Sequence, residues 1–259
     1  MKMETRRQIT AFGALLGVNA LLALAVYLLF PPDQLAPAQT APTPAVGLPA
    51  WVLDLANAGI VLVVYGLLGL AAAWLARRLR LPGVYREKAG WQEWVVAPML
   101  IGFGVGAAIT FVDRLFAAAA PDWDGFAHPP FPVSVLASAT AGTGEEILFR
   151  LFVMSLWAFL LNLILGRFGA TALALWAGNL IGALAFAAGH LPSAMLLVGA
   201  STPSEIPGPV LAELFLLNGT VGLVAGWQFM RAGLVAAVGV HFWGDILWHV
   251  LWPAVRSLG

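Results

Sequence analysis

Cysteine is absent from the 259 residues, and charged residues make up only 10% of them. The first absence excludes a disulfide framework, thiol nucleophiles and thiolate metal ligands. The second is far below the roughly 25% that soluble globular domains carry. Net charge is lacking too: 13 basic and 13 acidic residues cancel, so no global field steers the chain toward polyanions such as nucleic acid. No internal repeat is visible, which removes support for a transporter built from two matching halves. What is abundant is apolar side chain, at 61% of residues and a mean hydropathy of +0.88. The class left standing is an all-α, polytopic helical membrane protein with seven to eight transmembrane helices.

A helix needs about 20 mostly apolar residues to cross a hydrocarbon core of roughly 30 Å. Seven stretches qualify: 10–30, 51–75, 94–119, 133–165, 168–189, 210–230 and 234–252. The segment 191–200 is apolar but short, and suggests a re-entrant turn or an eighth partial helix. Residues 1–7, with Lys2, Arg6 and Arg7, precede a long apolar run without a small-x-small cleavage site, and so read as a retained anchor. Ten of the 13 basic residues fall on alternating loops on one face, including Arg77, Arg78, Arg80, Arg86, Lys88, Arg167 and Arg231. The positive-inside rule assigns that face and the N-terminus to the cytoplasm of a multi-pass cell-membrane protein. The stretch 31–50 holds six prolines and reads as an extended outer spacer. Trp51, Trp91, Trp94 and Trp252 lie at span ends, where an aromatic belt forms. The chain divides into a three-helix membrane region, 1–120, and a later helical core, 121–259. Small-xxx-small pairs at Gly13/Gly17, Gly178/Gly182 and Gly222/Gly226 are expected to bring helices close.

Ionisable residues inside spans cost about 2.5–3.5 kcal/mol each on insertion scales, so each needs a partner or a task. Asp113 and Arg114 lie toward an outer end and are expected to snorkel to headgroups. Glu146 and Arg150 are four apart, share a helix face and can pair. Glu145 lies about 100° around the helix from Glu146, away from that arginine. An unpaired carboxylate there has the chemistry of a general base. Counting from Arg167, in the turn between the fourth and fifth spans, Glu145 is 22 residues back and His190 is 23 on. An antiparallel hairpin brings both to about the same depth, roughly 33–35 Å along the helices. His241, Asp245 and His249, at successive intervals of four, form a polar stripe on the last span. His241 lies only about 15 Å from Arg231, a depth mismatch that calls for tilt or a projecting hairpin. His249 reads as a bystander near the outer interface. The loop 121–130 holds Asp122, Asp124 and His128 in no defined metal spacing, and Glu205 and Glu213 read as caps for the sixth span.

Glu145-Glu146-x-x-x-Arg150, Phe186-x-x-x-His190 and His241-x-x-x-Asp245, in that order, resemble the CPBP family, the CAAX-processing and bacteriocin-processing intramembrane proteases. The resemblance covers roughly residues 133–251. It implies an endopeptidase acting on a membrane protein or lipid-anchored peptide, with Glu145 activating water and His190 orienting it. His241 and residue 245 would stabilise the oxyanion, and Glu146 with Arg150 would hold the helices. The family's last motif commonly ends in asparagine, and here it ends in Asp245. An ionised aspartate would repel an oxyanion, so Asp245 must be protonated, orient His241 or serve as a ligand. No cofactor is required by the metal-free mechanism that the family favours. Were a divalent metal such as zinc used, Glu145, His190 and His241 would be its ligands. Two other readings use the same residues: a catalytically silent scaffold or immunity protein, and a proton-coupled transporter.

Overall fold

The computed structural model describes residues 3–29, 49–119, 123 and 125–258; most of the proline-rich stretch 31–50, and Asp122 and Asp124, lie outside them. Among the described residues the main helices are, in order, α1 (Met3–Leu29), α2 (Trp51–Arg78), α3 (Gln92–Ala119), α4 (Val133–Phe168), α5 (Thr171–Gly189), α6 (Leu191–Val198), α7 (Gly208–Ala232) and α8 (Leu234–Arg256). Among the described residues seven runs are long and apolar enough to cross a membrane, α5 and α6 forming one of them, and the protein is a polytopic helical membrane protein. Large apolar side chains such as Leu21, Leu67, Leu100, Phe111, Leu163 and Leu173 point outward. In water that would be a liability; against lipid tails it carries no penalty.

One core cluster joins Phe12 and Leu16 of α1 to Ile147, Leu151 and Met154 of α4, Phe229 of α7 and Leu234 and Val240 of α8. The first spans therefore pack on the same core as the later ones. A second cluster, Ile109, Phe186, Leu217 and Trp248, lies toward the other end. Close approach is set by small residues. A Cβ on Gly102 or Gly106 of α3 would come within 2.6–2.7 Å of the α8 carbonyls of Val240 and Gly244. Gly178 and Gly182 fit α5 against Met154 and Ala158 of α4, and Gly222 fits α7 against Ala183. Among the described residues, by contrast, nothing lies within 4 Å of a Cβ built on Gly13 or Gly17, so the first of the three small-xxx-small pairs does not set a close approach there.

Gly233 fixes the start of α8. Its φ of 96° and its distance of 2.8 Å, from a built Cβ to Tyr85 Cα, leave no room for a side chain. The loop before α3 then pairs across the junction: Leu234 N donates to Gly83 O, Val235 N to Val84 O, and Arg86 N to Ala232 O. The α8 register, and with it His241 and Asp245, is tied to this junction.

Three expected roles change at the opposite end. Asp113 is 3% exposed rather than snorkelling, because Gly125 of the α3–α4 loop packs directly on its carboxylate. Glu213 is fully buried in the second turn of α7 and accepts a 2.6 Å hydrogen bond from Trp123 Nε1, so it anchors the loop and does not cap the helix. Glu205 caps its own short turn, accepting from Ser201 N at 2.7 Å and Thr202 Oγ1 at 3.1 Å. Those bonds favour the charged form and hold its carboxyl below the usual range.

Candidate active site

Glu145 and Glu146 close the regular part of α4, and residues Ile147–Met154 continue it in wide i→i+5 turns. Such turns are rare and concentrate at functional sites. They also fit more residues into each turn, which shifts Glu145 relative to the regular rise assumed from the sequence. Similar wide turns follow Asp245, over Ile246–Leu251. His241 Nε2 lies 3.7 Å from Glu145 Oε2, so the two groups meet although Glu145 is 22 residues from Arg167 and His241 only 10 from Arg231, the unequal lengths that call for tilt or a projecting α4–α5 hairpin.

Glu146 and Arg150 are both buried, with Arg150 Nη1 3.1 Å from Glu146 Oε1. The same oxygen lies 2.8 Å from His241 Nδ1. A carboxylate only accepts, so Nδ1–H of His241 donates to it. Glu146 therefore orients the imidazole as well as balancing the arginine, a link that spacing along one helix could not reveal. The Arg150 guanidinium lies 4.4 Å over the Phe186 ring, a cation–π contact that occupies its second face.

With Nδ1 engaged, His241 turns Nε2 toward two carboxylates, Glu145 Oε2 at 3.7 Å and Asp245 Oδ2 at 3.6 Å. Both distances exceed a hydrogen bond. His190 lies at the α5–α6 junction, and its Nδ1–H donates to Phe186 O at 2.9 Å, leaving Nε2 as the available nitrogen. Phe186 meets both imidazoles edge to face, with centroids 4.8 Å from His190 and 5.3 Å from His241. One buried aromatic ring thus spaces the arginine and two histidines.

A cavity of about 170 Å³ opens at this point, beneath the α3–α4 loop and at the end opposite the basic face. Glu145, His190, His241 and Asp245 all line it, and Glu145 is the most exposed of the three carboxylates around His241. Ile109, Leu214, Leu217, Val221 and Trp248 supply apolar walls. His249 lines the cavity, and its Nδ1 lies 3.1 Å from Nδ1 of His128 in the roofing loop. Burial pushes the His128 imidazole below its ordinary value, against an opposite pull from Asp113. Asn218 and Ser193 also line the cavity. Asn218 is an amide within an apolar stretch of α7, a helix that also carries Gln228, and that polarity is the signal the sequence offers. Among the described residues no three His, Asp or Glu side chains are disposed to hold a metal ion, and Glu145, His190 and His241 do not form a ligand set.

No match was found among curated proteins or solved structures. Residues 127–247 match the family model described as "Type II CAAX prenyl endopeptidase Rce1-like". Glu145, Glu146, Arg150, Phe186, His190, His241 and Asp245 all fall inside the matched residues. The matched residues 127–247, just under half of the chain, are thus similar to CAAX-processing endopeptidases, in keeping with the resemblance that the three motifs carry.

Proposed function

We propose that the protein is an intramembrane endopeptidase in which Glu145 activates water for attack on a peptide carbonyl of a membrane-associated substrate. The observation that carries this reading is the approach of Glu145, on α4, to His241 Nε2, on α8, at the wall of one cavity that His190 also lines. Water bound between Glu145 and His190 gives its proton to the Glu145 carboxylate as its oxygen attacks. The carbonyl oxygen becomes an oxyanion, stabilised by Nε2–H of protonated His241, a cation that Glu146 balances from the far side. Collapse of the tetrahedral species breaks the C–N bond, and Glu145 returns the proton to the leaving amine.

Asp245 sits beside the oxyanion position. In this scheme it is protonated during attack and donates a hydrogen bond there, the role of the asparagine common in the family. Asn218 offers a neutral amide on the facing wall. No step is routed through a metal.

The basic face is assigned to the cytoplasm, so the cavity opens in the outer half of the membrane. Exported or membrane-anchored chains, including C-terminal sorting tails, are the substrates this topology suits. The test is incubation of purified protein with fluorogenic membrane peptides, with and without a chelator. Wild type is expected to cleave in both conditions, and Glu145→Gln to lose about 10²–10⁴-fold in rate while its melting temperature holds. Equal cleavage by Glu145→Gln would overturn the assignment.

A further inference from the structure

A second cavity, of about 210 Å³, lies at the opposite, basic end of the molecule, between α1, α2 and the loop that follows α2. Its two parts differ in chemistry. Ile9 and Phe12 of α1 and Leu70 and Trp74 of α2 form an apolar slot along the two helices. Thr5, Gln8 and Arg77 form a polar mouth one to two turns beyond it. The slot is open to the surrounding lipid, since Ile9, Leu70 and Trp74 are 43–53% exposed.

The walls are fixed from both sides. Gln8 clamps the loop onto α1: its Oε1 accepts from Val84 N at 2.9 Å, and its Nε2 donates to Tyr85 O at 2.8 Å. Arg77 reaches across the mouth and donates from Nη2 to Thr5 Oγ1. That bond uses one of the five guanidinium N–H groups. Arg78 lies 5.0 Å over the Trp74 ring and completes a cationic collar on the outer wall. The sequence places Arg6, Arg7 and Arg80 at the same end, against Glu4. Neither this mouth nor this slot touches the residues that line the site beneath the α3–α4 loop.

We propose that this cavity is a binding site for one anionic phospholipid, with the phosphate held by Arg77 and Thr5 and an acyl chain lying in the slot against Phe12 and Trp74. The two-part polarity is what selects a lipid over a free anion. A phosphate alone would leave the apolar slot unfilled, and a zwitterionic lipid would bring a second cation into the arginine collar. The slot also opens sideways to the bilayer, the direction from which a lipid arrives. Basic pockets between transmembrane helices are a recurrent way of recognising acidic headgroups, and each arginine near such a surface contributes about fivefold in affinity.

The experiment is native mass spectrometry of the full chain in detergent, titrated with dioleoyl phosphatidylglycerol or dioleoyl phosphatidylcholine. One phosphatidylglycerol is expected to bind at least fivefold more tightly than phosphatidylcholine. Arg77→Gln is expected to remove that preference. Ala73→Phe, which keeps every charge but fills the slot, is expected to weaken phosphatidylglycerol by at least fivefold. Melting curves confirm that each variant is folded, and the two variants fail by different routes. Competition by sn-glycerol 3-phosphate separates the sources: millimolar headgroup is expected to leave the bound lipid in place. Equal binding of the two lipids, or wild-type preference in Arg77→Gln, would overturn the proposal. Displacement by the headgroup alone would also overturn it, reducing the site to one for simple phosphates.

Discussion

Glu146 Oε1 serves two partners, Arg150 at 3.1 Å and His241 at 2.8 Å, in a setting that excludes water. Removing one partner of a buried ion pair leaves an uncompensated charge, typically at about 3–5 kcal/mol. Arg150→Met is therefore expected to lower the melting temperature sharply in detergent and to reduce folded yield. Glu146→Gln keeps the shape and still accepts from His241, but it withdraws the charge that favours the imidazolium. It is expected to lower kcat at least tenfold with KM little changed, a split that steady-state kinetics would read. Asp245 gives a sharper contrast. If its role is that of a neutral donor, Asp245→Asn keeps cleavage within about threefold and Asp245→Ala loses about 10²-fold, the scale of one oxyanion donor. Loss of activity in Asp245→Asn would show that the carboxylate is needed as such.

The elements that carry these side chains are held by close contacts that tolerate no growth. A Cβ on Gly222 would lie 2.8 Å from the Ala183 backbone and 2.9 Å from Arg150 Nη2. Gly222→Val is expected to cost about 1–3 kcal/mol by overpacking and to reduce activity with it, because the intruding atoms press on the guanidinium. Thermal unfolding and cleavage rate measured on the same preparation would check both. The α3–α4 loop is an element of a different kind, seated by Trp123 on Glu213, Gly125 on Asp113 and His128 on His249. Burial depresses the His128 pKa when the loop is docked, with Asp113 pulling it up and Arg256 pushing it down. The docked state thus binds fewer protons than the released one. Docking is fully present above the ordinary histidine value and weakens as pH falls below it. Hydrogen exchange of residues 125–132, corrected for intrinsic rate, is expected to speed up between pH 7.5 and 5.5. His128→Phe should flatten that dependence; an unchanged profile in the variant would assign it elsewhere.

At the scale of the whole molecule, the seven spans were legible because hydrocarbon thickness fixes span length, and composition alone reports it. The wide turns over Ile147–Met154 and Ile246–Leu251 were not, since no residue type marks an i→i+5 turn. Glu146 with Arg150 could be paired from spacing along one helix, whereas the bond from His241 to Glu146 crosses 95 residues and depends on tertiary packing. Asp113 and Glu213 were misassigned for a related reason: each looked like a span-end charge until the intervening loop folded back onto it. The basic end was recognised only as a charge asymmetry, and its cavity needed the contact between Thr5 and Arg77, 72 residues apart.

The most direct measurement is single-turnover cleavage of a membrane peptide in water enriched in oxygen-18, comparing wild type with Glu145→Gln. Attack by Glu145-activated water predicts one heavy oxygen in the new C-terminal carboxylate, none in the protein, and turnover slowed by about 10²–10⁴-fold in the variant. Heavy oxygen recovered in the Glu145 side chain, or wild-type turnover by Glu145→Gln, would contradict it.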